Sequence, residues 1–272
     1  GAHWSDRPDP AQRLLDTMDA VQGTDPEAPR AAQLFGGAGR MHMQLYGTRA
    51  DTFARIAVKA RRHAAQNPLA LFRDPVTLDD VLASPMVADP LTRFQCSPTS
   101  DGASALVMRR ATKRVHRPRV FVRACRVGNQ LGTHDPGAGL ADVESARLAA
   151  AAYAEAGIGP GEIAIAQVHD AFTSGEVLRT EALGLCPEGE GAKWAAAGRT
   201  AGTGDIPVNT DGGLLSRGHP LGATGAAQIV ELVLQLQGRA GPRQLERQPR
   251  TAVAQCSGGG ENAATVVTVL SR

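Results

Sequence analysis

The run SRGHPLGATG, at residues 216–225, places a histidine among the glycines and the proline of a turn. It leads directly into the apolar stretch AAQIVELVLQL. Gly218 allows close approach of the backbone, and Pro220 suits the first turn of a helix. An imidazole at a helix N-terminus meets the positive end of the helix dipole, which disfavours the charged ring. His219 could therefore serve as a general base, and a turn histidine bonded to the backbone is the alternative.

Two further reactive side chains follow runs that have the composition of buried strands. His169 ends the run EIAIAQVHD together with Asp170, and Cys256 ends TAVAQC just before SGGG. Ligands of open α/β sheets bind at the carboxyl ends of strands. His169 could donate to an oxyanion, and Cys256 could exchange a proton or attack as a thiolate. A satisfied core histidine and an inert buried cysteine are the alternatives.

The elements that position these side chains alternate along the second part of the chain. Nearly continuous apolar strands between helices predict an α/β fold whose sheet is covered on both faces. The predicted strands are SALVMRR (104–110), RVFVRAC (119–125), EIAIAQVHD (162–170), TAVAQCSGG (251–259) and AATVVTVLS (263–271). The predicted helices are 142–157, from an Asp142 cap to a Gly157 stop, then 174–184 and 222–238.

The first 95 residues have a different, mostly helical character. Phe53 and Ile56 lie at helical spacing within 49–66, and Thr77 with Asp80 has the spacing of a capping box before a short helix over 77–85. We therefore expect a loop or cap region over 1–95 and a core domain over 96–272.

Composition narrows the class of protein further. The chain has 272 residues, 42% hydrophobic and 21% charged, with a formal net charge of +2, which gives no argument for a nucleic-acid or membrane partner. No apolar run approaches the roughly 20 residues of a membrane span. The four cysteines lie far apart without a CxxC pair. We expect free thiols, no metal site and a reducing, cytoplasmic location.

Taken together, the motifs resemble the thiolase family. HDAF at 169–172, NTDGGLLSRGHPLGATG at 209–225 and CSGGG at 256–260 have the order and spacing of thiolase motifs. Most thiolases carry Asn-Glu-Ala-Phe in place of HDAF, and the histidine form is typical of the sterol-carrier-protein-associated thiolases. The likeness extends to WSDRPDP, FGGAGRMHMQLYGT, NPLALFRD, CSPTSDGASALV and EALGLCPEGEG. It implies a thiolase-like fold, of which this chain supplies a C-terminal βαβαββ half with a mixed sheet and a helical cap.

The resemblance assigns a role to each reactive side chain. His219 would be the base that activates a nucleophilic cysteine, Cys256 the acid/base for the α-proton, and His169 part of the oxyanion hole. No metal or redox cofactor is implied, since coenzyme A thioesters are the substrates. Positions expected to line coenzyme A are Ser97, Phe172, Gly218 and Gly258.

The nucleophile itself is the missing part. In thiolases the acylated cysteine lies in the first half of the chain, and none of the four cysteines here substitutes for it: Cys96 belongs to CSPTSDGA, Cys125 to a strand, Cys186 to a loop, and Cys256 has its own family position. The chain also begins GAHWSDRPDP, without methionine. We expect it to be the C-terminal part of a split or cleaved thiolase, which forms an oligomer with an N-terminal half.

The expected activity is thiolysis of 3-oxoacyl-CoA or the reverse Claisen condensation. One alternative is a thiolase-like retro-aldolase acting on CoA-linked steroid side chains, which the intact HDAF, GHP and CSGGG motifs disfavour. Another is a non-catalytic acyl-CoA-binding subunit. The missing nucleophile favours that reading, and the presence of His219 and Cys256 disfavours it.

Overall fold

The computed structural model describes Asp25 and residues 27–111, 119–129, 142–258 and 264–272. The WSDRPDP motif and the last two glycines of CSGGG lie outside these ranges.

Helices dominate the described residues between 27 and 95. They are α1 (Arg30–Tyr46), α2 (Ala50–Ala65) and α3 (Leu78–Ala83). Phe53 and Ile56 of α2 are buried against Val177 and Leu215, which belong to the core that follows. The predicted capping box is confirmed, because the Thr77 side chain accepts from the Asp80 backbone and the Asp80 carboxylate accepts from the Thr77 backbone.

A short hairpin follows, with β1 (Met86–Ala88) antiparallel to β2 (Leu91–Thr92). Beyond it, residues 101–111 contain neither helix nor strand, so the strand predicted over 104–110 is wrong for the chain by itself. The physical reason is that, among the described residues, no neighbouring strand lies beside this segment to accept its hydrogen bonds.

The core is a four-stranded mixed sheet, as predicted. Its strands are β3 (Phe121–Asn129), β4 (Ala166–Gln167), β5 (Thr251–Gly258) and β6 (Ala264–Ser271). Their order in the sheet is β3-β6-β5-β4. Strand β6 is antiparallel to both of its neighbours, and β4 is parallel to β5.

Strand β4 is much shorter than the predicted strand over 162–170. Side chains take over part of its hydrogen bonding, because the N–H of Val168 donates to Asn209 Oδ1 and the N–H of His169 donates to Gln255 Oε1. The segment therefore runs beside β5 without continuing the ladder.

The remaining helices are α4 (Val143–Ala156), α5 (Thr173–Ala182), α6 (Gly191–Ala196), α7 (Gly213–Ser216) and α8 (Thr224–Gln237). The predicted ends of α4 are confirmed: Asp142 caps it by accepting from the Ser145 N–H, and Gly157 ends it at φ 69°. Within the described ranges, no helix has the length and apolar character needed to cross a bilayer.

Helices α4 and α8 cover opposite faces of the sheet. Alternate residues of β5 separate into two clusters, since Val253 packs with Leu148 of α4, whereas Ala252 and Ala254 pack with Leu232 of α8. Successive strand residues point to opposite faces, so each cluster fills one face. The chain order β3, α4, β4, α5, α8, β5, β6, with two short helices between α5 and α8, gives the predicted βαβαββ arrangement.

Candidate active site

Three predicted side chains converge at one end of the sheet. The Sγ atom of Cys256 lies 3.6 Å from Nδ1 of His169. The rings of His169 and His219 lie 5.0 Å apart, centroid to centroid, and are nearly perpendicular at 87°. Residues separated by 87 positions in sequence thus form one cluster of a thiol and two imidazoles.

Strand geometry brings the thiol and the first imidazole together. Cys256 lies near the end of β5, and His169 lies two residues beyond the end of β4, its parallel neighbour. The carboxyl ends of parallel neighbours meet at the same edge of a sheet. Hydrogen bonding from the His169 N–H to Gln255 Oε1, at 3.2 Å, holds the histidine backbone beside β5.

Two glycines allow the loop that carries His219, and the short helix before it, to pack closely against neighbouring polar side chains. Gly218 has φ 116°, and a Cβ atom there would lie 2.9 Å from Ser100 Oγ. Gly213, at φ 58°, lies against the Asp170 carboxyl, where a Cβ atom would meet Oδ2 at 2.1 Å. A side chain at either position would be strained and would displace the loop.

Hydrogen bonding assigns the tautomer of His219. Its Nδ1 lies 2.8 Å from Thr224 Oγ1, and the Thr224 hydroxyl donates its proton to the Pro220 carbonyl at 3.0 Å. The hydroxyl oxygen therefore accepts at His219, so Nδ1 carries the hydrogen and Nε2 carries the free lone pair. That lone pair is what a general base needs.

The expected position of His219 at a helix N-terminus needs correction. The predicted helix over 222–238 begins at Thr224, because Ala223 N and Thr224 N both bond to the Pro220 carbonyl in a turn. His219 is thus five residues before the helix, and the dipole acts only weakly there. The pKa of His219 is still lowered, by burial first and by the charge of Arg217 second.

Burial sets the protonation states of the other two groups. It lowers the pKa of His169 to about 3, with smaller effects of Arg179 and His219 in the same direction. It raises the pKa of the Cys256 thiol, although the charges of Arg217 and Arg179 oppose this. Near neutral pH, the cluster therefore combines neutral imidazoles with a protonated thiol.

Two buried acids lie on the segments that carry the imidazoles: Asp170 was expected from the sequence to fix backbone or ring orientation beside His169, whereas Asp211 was not identified. Asp211 accepts from the Gly213 N–H and forms an ion pair with Arg217, two residues before His219. Asp170 is fully buried, and its Oδ1 accepts from the Leu214 N–H at 2.7 Å. Burial and the charge of Glu176 raise the pKa of Asp170 to about 8. For Asp211, its place inside NTDGGLLSRGHP was the only available signal.

The positions predicted to line coenzyme A lie around this cluster, in contact with different elements. The Ser97 N–H donates to the Ala171 carbonyl at 2.8 Å, beside HDAF. The ring of Phe172 stacks on Phe35 at 4.9 Å. Gly258 is exposed at the end of β5, two residues beyond Cys256. Contact of these residues with coenzyme A stays a prediction.

The other cysteines do not form an activated nucleophile. Burial raises the pKa of Cys96 to about 11 and that of Cys186 to about 12. Cys125 lies exposed on the edge strand β3, and all four thiols are free. In the part of the chain that the structure describes, no thiol other than that of Cys256 approaches the two imidazoles.

Comparison with known proteins gives the family. Residues 136–272 match the thiolase C-terminal domain-like family. The chain is 38% identical over 278 residues to human sterol carrier protein 2, covering 99% of this chain and 50% of that protein. It is 37% identical over 263 residues to the benzoylsuccinyl-CoA thiolase subunit BbsB of Thauera aromatica, covering 90% and 67%.

A solved structure agrees with these sequence matches. The Ltp2-ChsH2(DUF35) aldolase superposes with a TM-score of 0.74 and 25% identity, covering 87% of this chain and 63% of that one. The chain spans about half the length of the sterol carrier protein 2 relatives that it matches. By its motifs, its fold and these matches, the chain belongs to the thiolase family.

Proposed function

We propose that this chain is the catalytic C-terminal half of a thiolase that cleaves 3-oxoacyl-CoA with free CoA, or runs the reverse condensation. The observation that carries the proposal is the meeting of Cys256, His169 and His219 in protonation states suited to Claisen chemistry. The nucleophilic cysteine would come from an N-terminal half, on the same or a separate polypeptide. The relative BbsB is itself named a thiolase subunit.

The first half-reaction uses the base, the oxyanion donor and the acid. Nε2 of His219 takes the proton from the nucleophilic thiol, and the resulting thiolate attacks the 3-oxo carbon of the substrate. The bond between C2 and C3 breaks, which leaves an acyl-enzyme and the enolate of acetyl-CoA. With Nδ1 of His169 facing the thiol, its Nε2–H can donate to the enolate oxygen. The Cys256 thiol then protonates C2.

The second half-reaction returns both protons. The Cys256 thiolate takes the proton of incoming CoA, whose sulfur attacks the acyl-enzyme carbonyl. The nucleophilic cysteine leaves as a thiolate and recovers its proton from the His219 imidazolium. The low pKa of His219 favours this return, because burial and Arg217 destabilise the charged ring.

The test is thiolysis by the chain combined with its native N-terminal half. The assay follows loss of a short 3-oxoacyl-CoA together with consumption of free CoA. We expect His219→Ala and Cys256→Ala each to lower kcat by about 100-fold to 10,000-fold. Cys125→Ala, which removes an exposed thiol outside the site, is the matched control and should retain full turnover. Near wild-type turnover by both site variants would refute the assigned roles.

A retro-aldolase is the second candidate, because a superposable structure is described as an aldolase. Retro-aldol cleavage of a 3-hydroxyacyl-CoA consumes no free CoA, whereas thiolysis consumes one CoA per bond cleaved. Feeding each substrate in turn and measuring the free thiol separates the two. Cleavage of the hydroxy substrate at constant thiol, with no reaction of the oxo substrate, would favour the aldolase.

A further inference from the structure

Two adjacent residues of β5 hold His169 from opposite sides of the strand. Gln255 and Cys256 are consecutive, so their side chains project to opposite faces of the sheet. The Gln255 amide lies on the face covered by α4, where it reaches Ser145 Oγ at 3.0 Å. The Cys256 thiol lies on the other face, 3.6 Å from Nδ1 of His169. The His169 backbone therefore contacts one of these side chains and the His169 ring contacts the other.

Every polar atom of the Gln255 side chain has a partner. Gln255 is fully buried, and its Oε1 accepts from the His169 N–H at 3.2 Å. Its Nε2 donates to Ser145 Oγ at 3.0 Å and to Ser257 Oγ at 2.6 Å, which uses both of its hydrogens. Because the His169 N–H can only donate, it fixes which end of the amide is the oxygen. Rotation of the side chain would leave buried polar groups unpaired, so the amide is held in one orientation.

The hydrogen bonds continue from Gln255 to a charged group. The Ser145 hydroxyl donates to Oδ2 of Asp142 at 2.7 Å, and Asp142 lies 3.6 Å from the Arg179 guanidinium. From the His169 N–H through Gln255 and Ser145 to Asp142, each group donates to the next. Hydrogen bonds in such a series polarise and strengthen one another. We call the side chains of Gln255, Ser145 and Asp142 the Gln255 network.

The position of the His169 ring depends on this network. Strand β4 ends at Gln167, so no backbone ladder holds the residues that follow it. Among the described residues, the ring of His169 forms a hydrogen-bond contact with Cys256 alone. The ring thus has no polar anchor apart from the thiol with which it works, and its backbone must supply the rest. The Gln255 amide is the group that bonds to the His169 N–H.

We propose that Gln255 is a positioning residue, which together with Ser145 and Asp142 sets the distance between the Cys256 thiol and the His169 imidazole. Its side chain lies on the face opposite the thiol, so it acts through His169 and not on the substrate. The imidazole donates to the enolate oxygen while the thiol protonates C2 of the same enolate. An error of about 1 Å between two such groups can lower the rate by about 100-fold. This inference rests on the proposed function for the identity of the reaction.

Steady-state thiolysis by the chain combined with its native N-terminal half gives the first readout. Gln255→Met keeps the length of the side chain and removes its polar atoms, so kcat should fall by about 10-fold to 100-fold, with KM changed by less than about 2-fold. Ser145→Ala leaves Ser257 as an acceptor for Nε2 and should lower kcat by about 3-fold to 10-fold. Gln235→Met removes a fully buried amide near the last turn of α8, and as the matched control it should keep full kcat.

Hydrogen exchange of the His169 amide in the same complexes shows whether a loss of turnover acts through its peptide. Gln255→Met should speed this exchange by about 10-fold or more, whereas the Val253 amide, bonded to the Ile165 carbonyl, should exchange as in the wild type. Gln255→Glu keeps an acceptor oxygen at the same reach. It should therefore restore slow exchange at His169 and lose less kcat than Gln255→Met. Fast exchange in both variants would refute the inference.

The outcomes separate the positioning role from the proposed function. Unchanged kcat in Gln255→Met despite fast exchange, or a lowered kcat with unchanged exchange at His169, refutes the positioning role and leaves thiolysis standing. If Gln255→Met does not fold, unchanged kcat in Ser145→Ala refutes it instead. A wild-type complex without thiolysis refutes the proposed function. Faster His169 exchange in Gln255→Met would then still support the anchoring of the histidine, and equal exchange would refute it.

Discussion

Helices α4 and α8 cover opposite faces of one sheet but bury different kinds of residue. Beyond its first turn, where Glu144 and Ser145 are buried, the inner face of α4 is apolar. Leu148, Ala152 and Tyr153 are buried there, whereas Arg147 and Glu155 face solvent. This is the ordinary pattern of a surface helix. Helix α8 departs from it, because polar residues are buried on it and apolar residues are partly exposed.

The buried polar groups of α8 form a bonded network. Oε2 of Glu231 accepts hydrogen bonds from both Nε and Nη2 of Arg243. The side-chain amide of Gln235 donates to Oε1 of Glu231 and to the Arg243 carbonyl. Gln228 donates to the Gln255 carbonyl at 3.1 Å, next to Cys256. Val230 and Leu234, one turn apart, are only half-buried and belong to none of the core clusters of the described residues.

The difference in their outer faces indicates that α4 is suited to the surface of the molecule and α8 to a position between two packed layers. A helix that carries apolar residues on its outer face, and on its inner face buries bonded polar groups beside Leu232 and Leu236, is suited to a position between two layers. Under the proposed function, the outer face of α8 is therefore the surface at which we expect the N-terminal half to pack.

The largest expected effect comes from breaking the ion pair that α8 buries. In Arg243→Met, the buried Glu231 loses its main partner, which should cost about 3–5 kcal/mol in the free energy of unfolding. Arg147→Met is the matched change on α4, where the arginine is 60% exposed, and should cost less than about 1 kcal/mol. Urea denaturation of the two variants measures both values. Equal losses would contradict the contrast between the helices.

The next effect compares two leucines of α8 that are two residues apart. Leu232 is fully buried beneath the sheet, so Leu232→Ala should cost about 2–5 kcal/mol in the isolated chain. Leu234 packs with no core cluster, so Leu234→Ala should cost less than about 1 kcal/mol there.

The second half of this prediction concerns the complex with the N-terminal half. If α8 is an inner-layer helix, Leu234→Ala should weaken binding of that half by about 10-fold or more, as loss of a buried leucine contact does. Titration calorimetry measures the change. Unchanged affinity would mean that the outer face of α8 stays in solvent.

A smaller effect per pH unit comes from the buried carboxyl of Asp170, which makes the free energy of unfolding depend on pH. Its pKa is raised from 3.8 to about 8, chiefly by burial. The folded state therefore holds a proton that the unfolded chain has released, and the free energy of unfolding falls as pH rises from 3.8 towards 8. Asp170→Asn cannot ionise, so it should remove a slope of up to about 1.4 kcal/mol per pH unit.

Comparing the wild type with Asp170→Asn at each pH isolates this group, because His63, His169 and His219, whose pKa values are all lowered from 6.5, contribute the same slope to both proteins. Urea denaturation at several pH values between 6.5 and 8 gives the slope. Asp101→Asn, which changes an exposed carboxyl, is the control and should leave it unchanged. A slope that survives in Asp170→Asn would place the titrating group elsewhere.

Features fixed by neighbouring residues could be predicted from the sequence. The Thr77 capping box and both ends of α4 depend on residues within a few positions of each other, so local pattern was sufficient. The meeting of His169 with Cys256 could also be foreseen, because both follow strands that end at one edge of the sheet.

Features that depend on distant or absent partners could not be predicted. The strand over 104–110 has the right residues but no neighbour among those described, and β4 is shortened because Asn209 and Gln255 side chains take over its bonds. The ion pair of Asp211 with Arg217 joins residues whose burial no local pattern reveals.

The smallest predicted effect concerns how the two helices begin. Asp142 caps α4 by accepting from the Ser145 N–H, and α8 begins after Ala223, which has no side-chain cap. Asp142→Ala should therefore cost about 1 kcal/mol in the free energy of unfolding. Asp142 also lies 3.6 Å from Arg179, so Asp142→Asn, which keeps the acceptor but not the charge, separates the cap from the ion pair. If the alanine variant loses stability and the asparagine variant does not, the cap is responsible; equal losses assign the effect to the pair with Arg179.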